Sequence, residues 1–401
     1  MKATLGAGLS SLQGKLGNLC AKVINGRQQL GRLSVPYAVS GEDPSADQVA
    51  TRVEYLRVLA KWNTLTASQK TAYDVLGEPS GWSGWNYLLH IGIPKYPNRG
   101  LSWSTISPDI VESYVRCGET LGNGVVLIGT GNSGKVFKSL DYGATWGTAV
   151  IPPGSSLTNS MLLVSPTRLV AGGGYTGQLW TSDNQGASWT YRGNPLGNGV
   201  ITILWQDHLL SVYAIRENHT RIVKSTNLGT TWGLLGNSGF TGNPYGICNT
   251  GVAGHYVAGV SNGHINRSTD NCITWVDIQP LGSETAVYCV KSLGNGVILA
   301  GTNPLGQIWK SVDYGLTWTF KQRLGVLTRV ITIADLGYGV AIATGLPRQR
   351  IYRTVDYGDT WTLAADLSAY DQGLYLQYLG NGKAIFGGSG AKRIGISSSA
   401  E

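Results

Sequence analysis

Ser311-Val312-Asp313-Tyr314-Gly315-Leu316-Thr317-Trp318 recurs almost unchanged as Ser139-Leu140-Asp141-Tyr142-Gly143-Ala144-Thr145-Trp146, and Thr354, Asp356, Gly358, Thr360 and Trp361 keep its frame once more. The tryptophan is the ruler. Trp103, Trp146, Trp189, Trp232, Trp275, Trp318 and Trp361 stand 43 residues apart without slippage. A spacing held over most of a chain means one supersecondary unit copied end to end.

Within each copy the residue types describe a hairpin. An Asp side chain accepts hydrogen bonds from turn N–H groups, and Gly supplies a positive φ. Thr-Trp then opens a strand, with the indole expected between sheets. Asp141, Asp270, Asp313 and Asp356 hold the acidic slot; Asn184 and Asn227 keep the acceptor there and drop the charge. Cys272 holds the Gly slot, so that turn is expected to be strained or re-shaped.

A second ladder runs at the same pitch. Leu121-Gly122-Asn123-Gly124, Leu293-Gly294-Asn295-Gly296, Leu336-Gly337-Tyr338-Gly339 and Leu379-Gly380-Asn381-Gly382 lie in register, with diverged copies at 164, 207 and 250. Asn-Gly between apolar runs is a strong hairpin signal. Each repeat therefore reads as four strands, in the first copy about Ser113–Cys117, Val125–Gly129, Lys135–Ser139 and Thr145–Ile151. Four-stranded units repeated radially make propeller blades. The ladder has seven slots, and the seventh blade is split. Ser397 falls on the serine slot at one end, while Asn98, Gly100, Ser102 and Trp103 carry the rest of the motif at the other. Pairing of Leu101–Ile106 with the C-terminal strand is expected to close the ring and remove open edges.

The pattern Ser-x-Asp-x-Gly-x-Thr-Trp resembles the Asp-box, or BNR repeat, of sialidase-like β-propellers. That resemblance implies a scaffold element on the side of the disc opposite the usual active site, which is not evidence of catalysis. It also raises a glycan-directed hydrolase of sialidase-like fold as an alternative. Such sialidases need an arginine triad, a tyrosine nucleophile with a nearby glutamate, and an acid/base aspartate, and their early Arg-Ile-Pro signature is missing here. Ordinary glycosidases need two carboxylates flanking the scissile bond. Glutamate is scarce in the repeats (Glu112, Glu119, Glu217, Glu284 and Glu401), and most aspartates belong to the turns. The chain is read as non-enzymatic, with no catalytic residue assigned. Another Asp-box family, the seven-bladed photosystem II assembly factors of plant Ycf type, is similar in blade number and hairpins; an intracellular assembly factor of that type is a further alternative. The front of this chain does not match its short lipidated or signal-bearing N-terminus.

Residues 1–95 lack the repeat and are read as an anchoring and assembly domain ahead of a propeller over 96–401. Gly14–Gln28 predicts two short strands around Asn25-Gly26. Ser45-Ala46-Asp47-Gln48 and Thr66-Ala67-Ser68-Gln69 are capping boxes that predict helix starts. Val49, Val53, Leu56 and Ala60 form one helical stripe, widened by Tyr55, Leu59 and Trp62. A second helix is expected over Ala67–Leu76 and a third over Trp82–His90. The order of Gly14–Asn18, Gly26-Arg27, Gln48 with Arg52, Trp62–Lys70 and Ser83–Asn86 resembles a small domain of phage and prophage structural proteins. That resemblance implies other particle proteins, or copies of this chain, as partners of residues 1–95, and an association with the virion.

Composition narrows the classes further. Fifty-seven glycines among 401 residues and 13% charged residues suit a turn-rich all-β protein and are far from a disordered composition. No apolar run reaches a membrane-spanning length, so no membrane insertion is expected. Met1–Leu12 contains Lys2 but no sustained apolar region or cleavage site, so no secretory signal is read and synthesis in the cytoplasm is expected. The net charge of +8 reads as solvated surface rather than a nucleic-acid footprint. Cys20, Cys117, Cys248, Cys272 and Cys289 are odd in number and lack CxxC spacing, as expected of reduced thiols. The five histidines show no metal-like spacing, and neither a metal nor a cofactor is expected.

The resemblance to Asp-box propellers implies a ligand on the face opposite the boxes, formed by the loops joining strand 2 to 3 and strand 4 to the next blade. Arg348, Arg350, Lys392 and Arg393 come from neighbouring blades 6 and 7 and are candidates for one basic patch. Arg216, His219 and Arg221 lie on blade 3, across the disc. Tyr114, Arg116, Asn159, Tyr245, Tyr288 and Arg329 occupy inner-strand slots that vary from blade to blade. Aromatic and amide groups at an axial mouth suit a surface glycan or a partner loop.

Overall fold

The computed structural model describes residues 3–5, 15–16, 19–24, 27–32, 103–106, 114–147, 150–237, 239–337, 339–348, 350–367, 372–379, 382–389 and 394–397. The chain forms two compact units, Met1–Pro97 and Asn98–Glu401. In the first unit, Ala3–Leu5, Lys15–Leu16, Leu19–Ile24 and Arg27–Arg32 form an antiparallel sheet in the order first, fourth, third, second. Ile24 stands opposite Arg27, leaving Asn25-Gly26 between the paired ends. The helices expected between Ser45 and His90 lie outside the described residues.

The second unit is a seven-bladed β-propeller, all β among the described residues. Blade 1 has Val115–Gly122, Val125–Thr130 and Val136–Ser139. Blade 2 has Thr158–Leu163, Leu169–Gly173, Gln178–Ser182 and Thr190–Tyr191. Blade 3 has Ile201–Gln206, Val212–Arg216, Arg221–Ser225 and Gly233–Asn237. Blade 4 has Pro244–Asn249, Tyr256–Val260, His264–Ser268 and Val276–Pro280. Blade 5 has Ala286–Gly294, Val297–Asn303, Gln307–Ser311 and Thr319–Arg323. Blade 6 has Arg329–Gly337, Val340–Leu346, Arg350–Thr354 and Thr362–Asp366. Blade 7 has Gly373–Tyr378, Ala384–Gly388 and Ile394–Ser397, completed by Trp103–Ile106. The first strands touch one another in a closed ring, with Gly373–Tyr378 of blade 7 meeting both Arg329–Gly337 and Val115–Gly122.

Closure is antiparallel, with Ile394 opposite Ile106 and Ser397 opposite Trp103. Ser397 is buried and its Oγ accepts the Ala384 N–H at 2.7 Å. Blade 1 departs from the expected strands. Its first strand runs on to Gly122, and the described part of its fourth pairs Val150 with Val136 and Gly147 N–H with Lys138 O. Pro152 and Pro153 follow at once, and proline cannot donate to a ladder.

The repeated turn is held by one local network. In blade 5, Ser311 Oγ donates to Asp313 Oδ1 at 2.7 Å and accepts the Gly315 N–H at 2.9 Å. Asp313 also accepts the Thr317 N–H at 2.9 Å and the Thr317 hydroxyl. The same bonds recur at Asp141, Asp270 and Asp356. Asn184 and Asn227 keep the first ones, but there the side-chain bond is reversed, Nδ2 donating to Ser188 Oγ and to Thr231 Oγ1. Burial works against the Asp313 carboxylate, but bonds from Thr317 and Ser311 outweigh it and hold its pKa below the usual range. Asp141 and Asp270 are lowered in the same way. Tyr314 N–H also donates to Gly296 O at 3.0 Å, as Tyr142 does to Gly124 and Tyr357 to Gly339. The two hairpin turns of a blade therefore share one face, and the strand 2–3 and 4–1 connections share the other.

Gly315 needs its φ of 86°, and a Cβ there would meet Val257 of the preceding blade at 2.4 Å. Cys272 adopts φ 67° in the same slot without re-shaping the turn, since its N–H still reaches Ser268 Oγ at 3.0 Å. The expected change of shape does not occur; the cost is a non-glycine residue in the left-handed region. Room comes from blade 3, where Tyr213 replaces the usual aliphatic residue, stacks on Trp205 (centroids 5.1 Å, 11°) and donates to buried Asp207 at 2.8 Å. Trp205 Nε1 then donates to Cys272 Sγ at 3.3 Å.

Each pair of neighbouring blades encloses an apolar cluster, and each cluster includes one tryptophan of the repeat as a buried member or packed against it. Trp103, delivered by the closing strand, packs with Leu336, Ile342 and Phe386. Cys117, Cys248, Cys272 and Cys289 are free thiols, each pushed up to about 12, chiefly by burial.

Removing residues 1–106 is expected to leave Ile394–Ser397 as an open edge and drive aggregation on size-exclusion chromatography, whereas a chain starting at residue 96 keeps the closing strand and stays monodisperse. Asp313→Ala is expected to cost about 1–2 kcal/mol in urea unfolding. The carboxylate's pKa is depressed in the folded state, so its stabilisation is present above the unfolded value and lost as pH falls through the folded one. Asp313→Asn should remove that acid dependence while keeping part of the stability, as Asn184 and Asn227 do in their own blades.

Candidate functional site

All seven first strands carry a register shift near their start against the second strand of their blade. The residues left without a ladder partner are Arg116, Asn159, Thr202, Tyr245, Tyr288, Ile331 and Leu374, all one repeat apart. A β-bulge frees one residue and re-aims its side chain. Because the bulges sit where the first strands begin, they ring the axial mouth of the face opposite the Ser-x-Asp turns.

Three of the sequence-selected residues meet there, from blades 4, 5 and 6. Tyr245 and Tyr288 stack with centroids 4.6 Å apart and planes 2° from parallel. The Arg329 guanidinium lies 4.3 Å from the Tyr288 centroid, a cation–π distance. Arg329 Nε donates to Asn303 Oδ1 at 3.2 Å, and Asn303 Nδ2 donates to Thr285 Oγ1 at 3.2 Å. Burial, then the neighbouring Tyr288, raises the Tyr245 phenol, with Arg329 opposing. Asn303 and Thr285 had no signal in the sequence beyond their place in the loops.

Elsewhere on this face, Arg116 is exposed, with its guanidinium 5.1 Å from the Tyr114 ring, and Tyr114 bridges to Ser389 of blade 7. Asn159 Nδ2 donates to Ile201 O at 3.4 Å, across to blade 3. Arg348 is exposed, while Arg350 forms an ion pair with Asp366 at 2.7 Å on the outer strand of its own blade. Lys392 and Arg393 lie outside the described residues. On blade 3, Arg221 N–H donates to His219 Nδ1 at 2.9 Å. His219 is held below its ordinary pKa by burial first, then by Arg216 and Arg221.

Glu119 stood out in the sequence only as one of few glutamates. It lies on the first strand of blade 1, and burial pushes it up to about 7, opposed by Lys291 of blade 5 and the Thr120 N–H. Lys291 belongs to the first strand of a non-adjacent blade, so the two charges act on each other across the ring. A lone carboxylate of this kind can exchange a proton near neutrality but does not make the two-carboxylate arrangement of a glycosidase. Among the described residues no three His, Cys, Asp or Glu side chains group as metal ligands, and no helix is long and apolar enough to cross a membrane.

No protein-family model matches the chain, and no curated protein matches it. Solved structures do. A structure described as YCF48 bound to D1 peptide is 16% identical with a TM-score of 0.60, covering 75% of this chain and 96% of that one. A streptogramin B lyase is 15% identical with a TM-score of 0.62, covering 74% and 97%. The WD40 propeller domain of Doa1 is 16% identical with a TM-score of 0.58, covering 76% and 97%. At these identities the likeness is one of fold. The three chains share the propeller and differ in what their names attach to it.

Glu119 gives a pH signature. Its folded-state pKa lies above the ordinary value of 4.5, so native stability is fullest below that value and falls as pH rises through about 7. Glu119→Gln is expected to flatten the melting temperature across this window and to exceed the parent chain at pH 8; equal pH profiles would show that the carboxyl is unperturbed.

Proposed function

We propose that this chain is a non-enzymatic binding component of a phage-like particle. Residues 1–95 anchor it to other particle proteins or to further copies of itself, and the propeller over 96–401 displays the face bearing the bulge ring to a partner. In this reading the repeated turns are Asp-boxes, and Asp141, Asn184, Asn227, Asp270, Asp313 and Asp356 serve the scaffold. The particle assignment is supported by the resemblance of Gly14–Asn18, Gly26-Arg27, Gln48, Arg52, Trp62–Lys70 and Ser83–Asn86 to a phage structural domain.

The observation that carries the binding role is the Tyr245–Tyr288–Arg329 ladder. Two phenol rings and a guanidinium are already stacked and braced by Asn303, so little ordering is required when a partner arrives. Tyrosine and arginine are the residue types that concentrate binding energy at protein contacts. Tyr288 is occupied by Tyr245 on one side and Arg329 on the other, which favours an edge-and-charge contact with a protein segment over a sugar ring laid on its face. A structure of this fold described as bound to a peptide accords with a protein segment as partner.

Peptide and glycan arrays probed with the full chain test the reading. A peptide ligand is expected, and Tyr288→Ala should weaken it by at least about tenfold, a loss of about 1.4 kcal/mol, without loss of the native fold. Ligands restricted to glycans would change the partner class. Undiminished binding by Tyr288→Ala would remove the ladder from the site. In parallel, a chain lacking residues 1–95 should fold as a propeller and fail to enter the assembled particle.

A further inference from the structure

Blade 3 leaves unpaired a cation whose counterpart in blade 6 is neutralised. The third strand opens with Arg221 in blade 3, His264 in blade 4 and Arg350 in blade 6. In two of these a carboxylate on the outermost strand answers: His264 Nδ1 lies 2.8 Å from Asp277 Oδ2, and Arg350 Nη2 lies 2.7 Å from Asp366 Oδ2. The cross-strand partner of Arg350 is Asp366, and the cross-strand partner of Arg221 is Asn237. The acid has become an amide, and exposed Arg221 has no ion pair among the described residues.

Arg216 adds a second unanswered charge at the other end of the same connection. Blades 1 and 5 place Thr130 and Thr302 there, and each hydroxyl donates to a carbonyl of its own loop. Arg216 makes no such brace. Its Nε is buried without a hydrogen-bond partner, and its guanidinium fills the space beside Gly199, where a Cβ would stand 2.5 Å from Nη1. A buried donor left without an acceptor is costly and is met by a ligand, an ion or water. Arg350 Nε is buried in the same way, so what sets Arg216 apart is that it has no ion pair among the described residues. His219 lies between the two arginines in sequence. Because the Arg221 N–H donates to Nδ1, the neutral ring carries its proton on Nε2, as a further donor. Glu217, the one carboxylate of this connection, is exposed and pairs with neither arginine among the described residues.

We propose that Arg216, His219 and Arg221 form an oxyanion-binding site on blade 3, taking a carboxylate, sulfate or phosphate group of the displayed face's partner. The site extends the binding role proposed above and stands beside blade 4, whose Tyr245 begins the ladder. Arginine suits such a group because its planar fork bonds two oxygens at once.

Isothermal titration of the full chain with sulfate, phosphate and glucuronate tests the site and ranks the three chemistries. Saturable binding of at least one is expected. Arg216→Gln and Arg221→Gln should each weaken it at least about tenfold. Asn237→Asp, which supplies the counter-ion that Asp366 gives blade 6, should weaken it similarly while leaving thermal unfolding unchanged. Arg348→Gln, an exposed arginine on another blade, should leave it unaltered. Tyr288→Ala should also leave oxyanion binding intact, so failure of the ladder and failure of this site are separable. No saturable binding of any of the three, or binding that survives Asn237→Asp, would overturn the proposal.

Discussion

Among the described residues the outer edge of Ile394–Ser397 is covered by Trp103–Ile106, and that four-residue pairing completes the seventh blade. Every apolar cluster of the propeller lies between two blades, so each blade is half of two cores. An open ring would expose the clusters on both sides of the break, including Phe386 and Ile396, and leave two unpaired edges. Closure also brings Trp103 to the interface between blades 6 and 7, where the seventh repeat has no tryptophan of its own. The strand thus supplies a ladder and a core residue from the opposite end of the repeat array.

The architecture was legible because the turn network is local. Ser311, Asp313, Gly315 and Thr317 bond within seven positions of one another, so each copy must contain nearly the same residues and the period survives in the letters. What escaped was settled at a distance. Cys272 keeps a glycine's conformation because Trp205 and Tyr213, in the preceding blade, rearranged around it. The individual letters Tyr245, Tyr288 and Arg329 were readable as variable inner-strand residues. Their meeting was not, since Arg329 precedes the bulge slot of its own blade by two positions and reaches back to Tyr288 by the length of its side chain. The ion pair that occupies Arg350 likewise belongs to a cross-strand register that no periodicity announces.

The two faces of the disc answer to different constraints. On one, most repeats meet the same bonds between their two hairpins, and variation is confined to exchanges that keep those bonds, such as Asn for Asp or Cys272 in the glycine slot. On the other, the bulges release one residue per blade from the ladder, and the released set runs from arginine to leucine without disturbing the sheets. Propellers of similar architecture accordingly carry names as different as a lyase and a peptide complex. In the binding role proposed above, chemistry belongs to the released residues and to the connections beside them.

A ring of bulges has neighbours but no first member, so whatever approaches the mouth meets a cyclic word rather than a composition. Tyr, Tyr and Arg act together only because blades 4, 5 and 6 are consecutive; the same residues dealt to alternate blades would give three isolated side chains. Duplication or loss of a whole repeat would keep each turn intact and still rewrite the word at the junction. Point substitution at the bulges changes one letter and leaves the spelling order alone. In the proposed binding role, recognition can therefore drift one position at a time within a fixed number of blades, while any change in that number resets it.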